Sequence, residues 1–326
     1  MPNLNDDLPY SIMGAGQRSM YGTFIPPGGR VAAYVRSTGS QTGDDLNLLN
    51  MLVPTLNAGL ARCRSGMGDS VIVLPGHVES ITGADFMSSL VAGTNIIGVG
   101  TGTTRPTFTW TATASTFLFD VADTVLVNCI LKIATSANAG ISVAAPITVS
   151  AAGCAILGCQ ILAPGDANDL ATIGVTTTAA ATDFTFAHNE VWMATAAACT
   201  TFLRIVGSDR CKIIGNRITG ATSSVVVGLI QFITTDSLDC VMEDNYIRNN
   251  VAASSAAVSV SAGATSSSGY VNNLYMCVLD DAANNLVLGD AVGAWGLSVA
   301  SFSFGRHVYV ANLAGERMAE VTAVSA

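Results

Sequence analysis

From about residue 90 to 280, short runs with apolar side chains at every second position alternate with clusters of Gly, Ser, Thr, Asn and Asp. Period two over four to eight residues marks a strand, and no helix-length periodic segment separates these runs. Four positions align when the runs are written at offsets 0, +2, +5 and +7. Cys154, Ile156, Cys159 and Ile161 form one such set, and Phe184, Phe186, Asn189 and Val191 the next. Cys211, Ile213, Asn216 and Ile218 follow, then Cys240, Met242, Asn245 and Ile247. Thr124, Leu126, Cys129 and Leu131 precede them. Thr94, Ile96, Val99 and Thr101 extend the pattern backwards, and Tyr270, Asn272, Tyr275 and Cys277 extend it forwards. The sets start at 94, 124, 154, 184, 211, 240 and 270, in steps of 30, 30, 30, 27, 29 and 30 residues.

Further β-rich runs lie between the aligned ones, at 116–121, 140–143, 200–206, 225–234 and 256–261. Each repeat of about thirty residues therefore holds two or three short strands and no helix, which excludes a βαβ fold. Ladder pairing must run from coil to coil, roughly 4.8 Å apart. The expected fold is all-β: a right-handed parallel β-helix, a solenoid whose coils bury their inner faces against their neighbours. The +5 column holds Cys129, Cys159, Asn189, Asn216 and Asn245, a repeated corner. Two readings stay open there. Stacked Asn side chains can bond amide to amide along the stack, or Asn is present because it tolerates a left-handed turn.

The ends differ from the middle. Leu49, Leu52, Val53, Leu56 and Leu60 fall at helical spacing within 44–63, with Thr42 or Asp44 as the opening cap. Pro54 should kink that helix or delay its regular start. A solenoid's first coil needs cover over its open edge, so this helix is expected to cap it. Residues 1–30 lack periodicity and read as an extended arm. Residues 31–69 supply a strand and the capping helix, 70–290 the β-helix, and 291–326 C-terminal strands and a tail. Within the last part, 295–313 alternates like an antiparallel pair or a final edge.

Composition narrows the function. Half the residues are apolar, yet 6% are aromatic and 11% charged, which suits closely stacked small side chains and not solvated helices. Net charge is −9 and Lys occurs only at 132 and 212, so the clustered cations that nucleic-acid binding requires are missing. Residues 133–165 carry no charge, but Gly140, Pro146, Gly153 and Gly158 interrupt them, so a pair of buried coils explains them better than a membrane span. The eight Cys form no CxxC pair and read as buried free thiols. The start, MPNLNDDLPYS, shows no secretory signal pattern.

Residues 68–83, GDSVIVLPGHVESITG, and 94–110, TNIIGVGTGTTRPTFTW, carry a resemblance. They are similar to the opening of pectate-lyase-like right-handed β-helix proteins encoded in tailed-bacteriophage genomes, over 33–110 in detail and in architecture to about 280. The resemblance implies a virion structural protein, here expected to be a decoration or reinforcing protein on the head exterior, assembled in the host cytoplasm. The alternative is a tail-fibre or tailspike component that binds or depolymerises host surface polysaccharide. The expected partners are other virion proteins, the major capsid protein first, and further copies of the chain in a homotrimer, with no nucleic acid and no membrane. Tyr10, Met13, Met20, Tyr21 and Phe24 make the arm too apolar for a solvated tail and are the expected partner contacts.

Catalytic candidates are few. Glycoside hydrolysis needs two carboxylates facing each other across a groove. The densest acidic run, Asp236, Asp239, Glu243 and Asp244, brackets a strand, and Asp183 and Asp209 occupy similar corners in their own coils, which points to turns. His77 and Glu79 could do acid–base work, but no nucleophile accompanies them, so a turn-stabilising role is expected. His188 reads as exposed. The GTGTT run at 100–104 lacks the Lys-Ser/Thr and helix start of a phosphate loop. Trp110, Trp192 and Trp295 are far apart, and no outward aromatic ladder is apparent. The expectation is a chain that is not an enzyme, with no catalytic residues, metal or cofactor.

Overall fold

The computed structural model describes residues 29–37, 51–133, 143–163, 173–193, 199–220, 228–249 and most of 258–278. It also describes short strand segments at 17–18, 24–25, 142, 170–171, 295–297 and 302–303. Among the described residues the chain is an all-β parallel β-helix with three long parallel ladders of eleven, nine and six strands. Six successive coils, from Asn95 to Val260, each contribute one strand to the eleven-stranded sheet, bend into the nine-stranded sheet, then cross to the six-stranded one. Val125–Val127, Ile130–Ile133 and Ile147–Val149 form one coil, and Ala155–Leu157, Gln160–Ala163 and Ile173–Thr177 the next.

The central registers follow the aligned sets. Leu126 pairs with Ile156, Ile156 with Phe186, Phe186 with Ile213, and Ile213 with Met242. Inward positions are Ile, Leu, Val, Phe and Cys, fully buried in one core that runs the length of the described coils. β-branched and aromatic side chains stack well on such a pleated surface.

Both ends of the pattern need correction. In the forward set, Cys240 pairs with Gly269 and Met242 with Val271, so that coil begins at 269 and not at 270. A slip of one residue exchanges inner and outer faces. Tyr270 accordingly points outward and is 44% exposed. In the backward set, Leu131 pairs with Phe108, not with Thr101. The chain takes twelve residues from Ile96 to Phe108 where the next coil takes five from Leu126 to Leu131. The surplus forms an exposed turn around the short 3-10 helix Gly102–Thr104. Trp295–Leu297 and Phe302–Ser303 pair in parallel with Gly269–Asn272 and Tyr275–Val278 and end the eleven- and nine-stranded sheets. Among the described residues they are therefore a final edge, the second of the two expected arrangements, and not an antiparallel pair.

The N-terminal helix is also shorter than its apolar spacing suggests. It covers only Leu56–Leu60 and is capped by Thr55, whose Oγ1 accepts from the Ala58 N–H at 3.3 Å, and not by Thr42 or Asp44. Pro54 delays the start, and the preceding Leu52–Val53 is a strand beside Val31–Val35. Leu56 and Leu60 are fully buried against the first coils. Val31–Val35 and Ser70–Val73 are neighbours in the eleven-stranded sheet, so the expected division at 69/70 falls inside that sheet.

Two columns of left-handed residues make the corners. Gly93, Asp123, Gly153, Asp183, Arg210 and Asp239 have positive φ just before the first strand of each coil. Asn128, Gly158, His188, Gly215 and Asp244 have it at the bend between the two main sheets. These bends demand Gly or a residue tolerant of the αL region. A Cβ on Gly215 would also lie 2.5 Å from the His188 ring.

Asn189, Asn216 and Asn245 sit one position after that bend and have no positive φ. The amide-stack reading of the +5 column is therefore the one the geometry supports. Asn189 Nδ2 donates to Asn216 Oδ1 at 3.1 Å, and Asn216 Nδ2 donates to Asn245 Oδ1 at 2.9 Å. Each Oδ1 also accepts the backbone N–H of the residue one coil earlier: Cys159, Asn189 and Asn216 in turn. Each Nδ2 reaches a carbonyl of the preceding coil: Ile156, Phe186 or Ile213. Cys129 and Cys159 continue the column, both buried.

Candidate functional site

The second strand of each coil faces inward at +5 and +7 and outward at +6 and +8. The outward +6 column reads Ile130, Gln160, Glu190, Arg217, Tyr246, and the +8 column Lys132, Leu162, Trp192, Thr219, Arg248. Over three coils this face forms a groove of about 240 Å³ lined by Glu190, Val191, Trp192, Arg217, Thr219, Tyr246 and Arg248. Trp192 is 50% exposed. The Arg217 guanidinium lies 5.8 Å from the Tyr246 ring centroid, a cation–π contact that holds both side chains against the sheet.

A polar chain leads into the groove from the N-terminal side. Arg105, on the exposed insertion, donates to Gly158 O at 3.4 Å and to Gln160 Oε1 at 3.2 Å, and Gln160 Nε2 donates to Glu190 Oε2 at 3.1 Å. Glu190 and Arg217 are ladder neighbours, yet among the described residues neither Arg217 nor Arg248 forms an ion pair. Arg248 Nε is shielded from solvent and has no hydrogen-bond partner among those residues. The arrangement offers an indole face and two guanidinium groups on a rigid surface. It can receive a flat apolar ring face and an anionic oxygen pair together.

This groove corrects the expectation of no outward aromatic platform. Trp110 is buried and Trp295 lies in a strand of another sheet, but Trp192 and Tyr246 share one outward face two coils apart. The missed signal was at +6 and +8, the positions between those used to align the coils.

The sequence candidates lie elsewhere. His77 is fully buried, with Nε2 2.9 Å from Glu79 Oε2; the same oxygen accepts the Leu56 N–H at 2.8 Å. The pair thus ties the LPGH turn to the start of the helix. Asp239 and Asp183 are corner residues; Asp183 takes a bidentate pair from Arg210 at 2.8 and 2.7 Å. Asp209 accepts the Leu238 N–H at 2.8 Å. His188 is an exposed αL residue. Tyr10, Met13, Met20 and Tyr21 lie outside the described residues. Phe24 lies in the two-residue strand Phe24–Ile25, which pairs antiparallel with Gln17–Arg18.

Asp69 is clamped at the first coil. The Arg64 side chain donates to both its oxygens at 2.9 and 2.7 Å, and the Arg30 and Arg64 backbone N–H groups add two more bonds. The Arg64 hydrogen bonds, ahead of every other influence, hold its carboxyl down to about 2. Burial pushes the thiols the other way: Cys63, Cys154 and Cys159 rise to about 11 and Cys199 to about 12. Thiols so poised stay protonated at neutral pH and are poor nucleophiles or metal ligands. Among the described residues no three His, Cys, Asp or Glu side chains are grouped to hold a metal ion. No helix there is long and apolar enough to cross a membrane.

No protein-family model matches the sequence, and no curated protein is similar to it. The coordinates are similar to a solved pectin methylesterase in complex with hexasaccharide VII, at 13% identity and a TM-score of 0.42, covering 90% of this chain and 86% of that one. At this identity the likeness concerns the fold alone. That neighbour is an enzyme, which corrects the expectation that this chain is not one: the architecture is common to enzymes and non-enzymes, and it excludes neither.

Proposed function

We propose that the chain is a structural protein of a tailed-bacteriophage virion, displayed on the head exterior as a decoration or reinforcing protein. The observation that carries this reading is the use made of the residues in the phage-like opening segments. Asp69, His77 and Glu79 tie the first coils together, and Arg105 staples the insertion to a coil further along. A motif employed to launch a solenoid suits a chain whose product is a stiff rod. Three continuous ladders and a buried amide stack supply that stiffness. On this reading the chain assembles in the host cytoplasm, contacts the major capsid protein, and associates with two further copies of itself.

Purified particles of the phage that encodes the chain provide the test, by mass spectrometry and electron cryo-microscopy. Solenoid-shaped density on the head lattice is expected, and it should vanish when the gene is deleted. Absence of the chain from purified particles would overturn the reading. Density confined to the tail would favour the second reading, a tail-fibre or tailspike component that engages host polysaccharide. One observation supports that second reading: the groove with Trp192, Tyr246, Arg217 and Arg248 on the outer face of the nine-stranded sheet.

A further inference from the structure

We propose that this groove binds an acidic oligosaccharide, with a sugar ring on Trp192 and a carboxylate on Arg248 or Arg217. The inference holds for a chain on the head or on the tail, so its failure would leave the virion reading standing.

The first argument is contrast between faces. The outward positions of the six-stranded sheet read Leu118, Thr148, Thr176, Arg204, Gln231 and Ser259, with no aromatic side chain. Within one short stretch the nine-stranded face instead carries Trp192, Tyr246, Arg217 and Arg248. Trp192, half in water, presents an apolar ring face with a polar N–H at its edge, and Trp and Tyr side chains of this kind are enriched at interfaces.

Charge is the second argument. The whole chain has 14 cationic and 23 acidic side chains. Yet among the described residues Lys132, Arg217 and Arg248 lie on this face, with Arg105 reaching over its edge, against the single carboxylate of Glu190. A guanidinium without an ion-pair partner matches a carboxylate in bidentate geometry, where an ammonium would act only as a point charge.

Spacing is the third. Trp192 and Arg248 occupy one column two coils apart, about 10 Å at the usual strand separation. An extended saccharide lying along the solenoid axis can reach both with different sugar units. Indole and guanidinium would also suit a single-stranded nucleic acid. A polyphosphate, however, needs a longer cationic track than these coils provide.

Calorimetric titration of the full chain tests the proposal, using acidic hexasaccharides of uronic or sialic acid, neutral maltohexaose and an oligothymidylate as probes. An acidic hexasaccharide should bind at least about tenfold more tightly than the neutral one, and Trp192→Ala should weaken it by about tenfold or more. Arg248→Gln should abolish the preference for acid. Glu190→Gln removes the like charge and should tighten binding several-fold, a gain that no misfolded variant could mimic. Lys212→Gln, an equal change of charge on the eleven-stranded sheet, should leave binding unaltered. The site is wrong if no acidic saccharide binds, if Trp192→Ala and Glu190→Gln are silent, or if Lys212→Gln weakens binding as much as Arg248→Gln. Tighter binding of oligothymidylate than of any saccharide would overturn the choice of ligand.

Discussion

Buried Asn216 keeps every polar atom of its amide occupied: Nδ2 reaches Asn245 Oδ1 and Phe186 O, while Oδ1 takes the Asn189 side chain and backbone N–H. Replacing it by Leu removes partners from groups that stay buried, so Asn216→Leu should cost about 1–3 kcal/mol in urea unfolding. A change below about 0.5 kcal/mol would mean that the ladder contributes nothing beyond shape. Asp69 makes a prediction about pH. Its folded pKa, held near 2 by Arg64, lies below an ordinary value of 3.8. The stabilisation is therefore complete above the unfolded value and is lost as pH falls from about 4 through 2. Its size is at most about 2 kcal/mol, because Arg64 is 44% exposed and water screens the pair. In Asp69→Asn that part of the acid-induced loss should disappear, and an unchanged slope of stability against pH would refute the assignment.

Elements show why some of the molecule was legible in sequence and some was not. Inward positions of the central coils announced themselves because burial demands apolar or fully paired side chains at fixed intervals, as Phe186, Ile213 and Met242 show. The outward +6 and +8 positions obey no such demand, so Trp192 and Arg248 looked scattered until the coils were stacked. At the forward end, Gly269 provides no side chain to mark the register, and alternation alone could not separate 269 from 270. At the backward end, an exposed insertion kept the apolar pattern but broke its spacing. The helix was overextended because Leu52 and Val53 fit both periods, and Pro54 decided for a strand. Glu79 then carries the junction: its Oε2 joins buried His77 to the Leu56 N–H at the first helical position. Glu79→Ala should destabilise the chain by about 1–3 kcal/mol and speed amide exchange in Leu56–Leu60 before that of the central coils. Uniform loss of protection along the whole chain would show that the pair braces no particular element.

At the scale of the whole molecule, the open question is how a rod with stacked coils fixes itself to something larger. Residues 1–30 carry Tyr10, Ile12, Met13, Met20, Tyr21, Phe24 and Ile25, more large apolar groups than a solvated tail contains. Near the first coils, Met67 and Val78 expose 42% and 59% of their surface. Arg30 joins the arm to the first coil through Asp69 and Ser70. Among the described residues of 2–25, however, the only strand pairing is Gln17–Arg18 against Phe24–Ile25, separate from the three solenoid ladders. Deleting residues 2–25 therefore removes no described rung of those ladders, and the truncated chain should unfold at nearly the same urea concentration. We propose that the arm is the anchor to a neighbouring virion protein, while the outer faces of the coils hold three copies together. On that basis the truncated chain should still sediment as a trimer but should no longer join the particle. Normal incorporation would assign attachment to the solenoid, and a truncated chain that sediments as a monomer would make the arm the trimer's clasp. A large loss of stability would instead place the arm over its own first coil, covering an edge that the Leu56–Leu60 helix is too short to close.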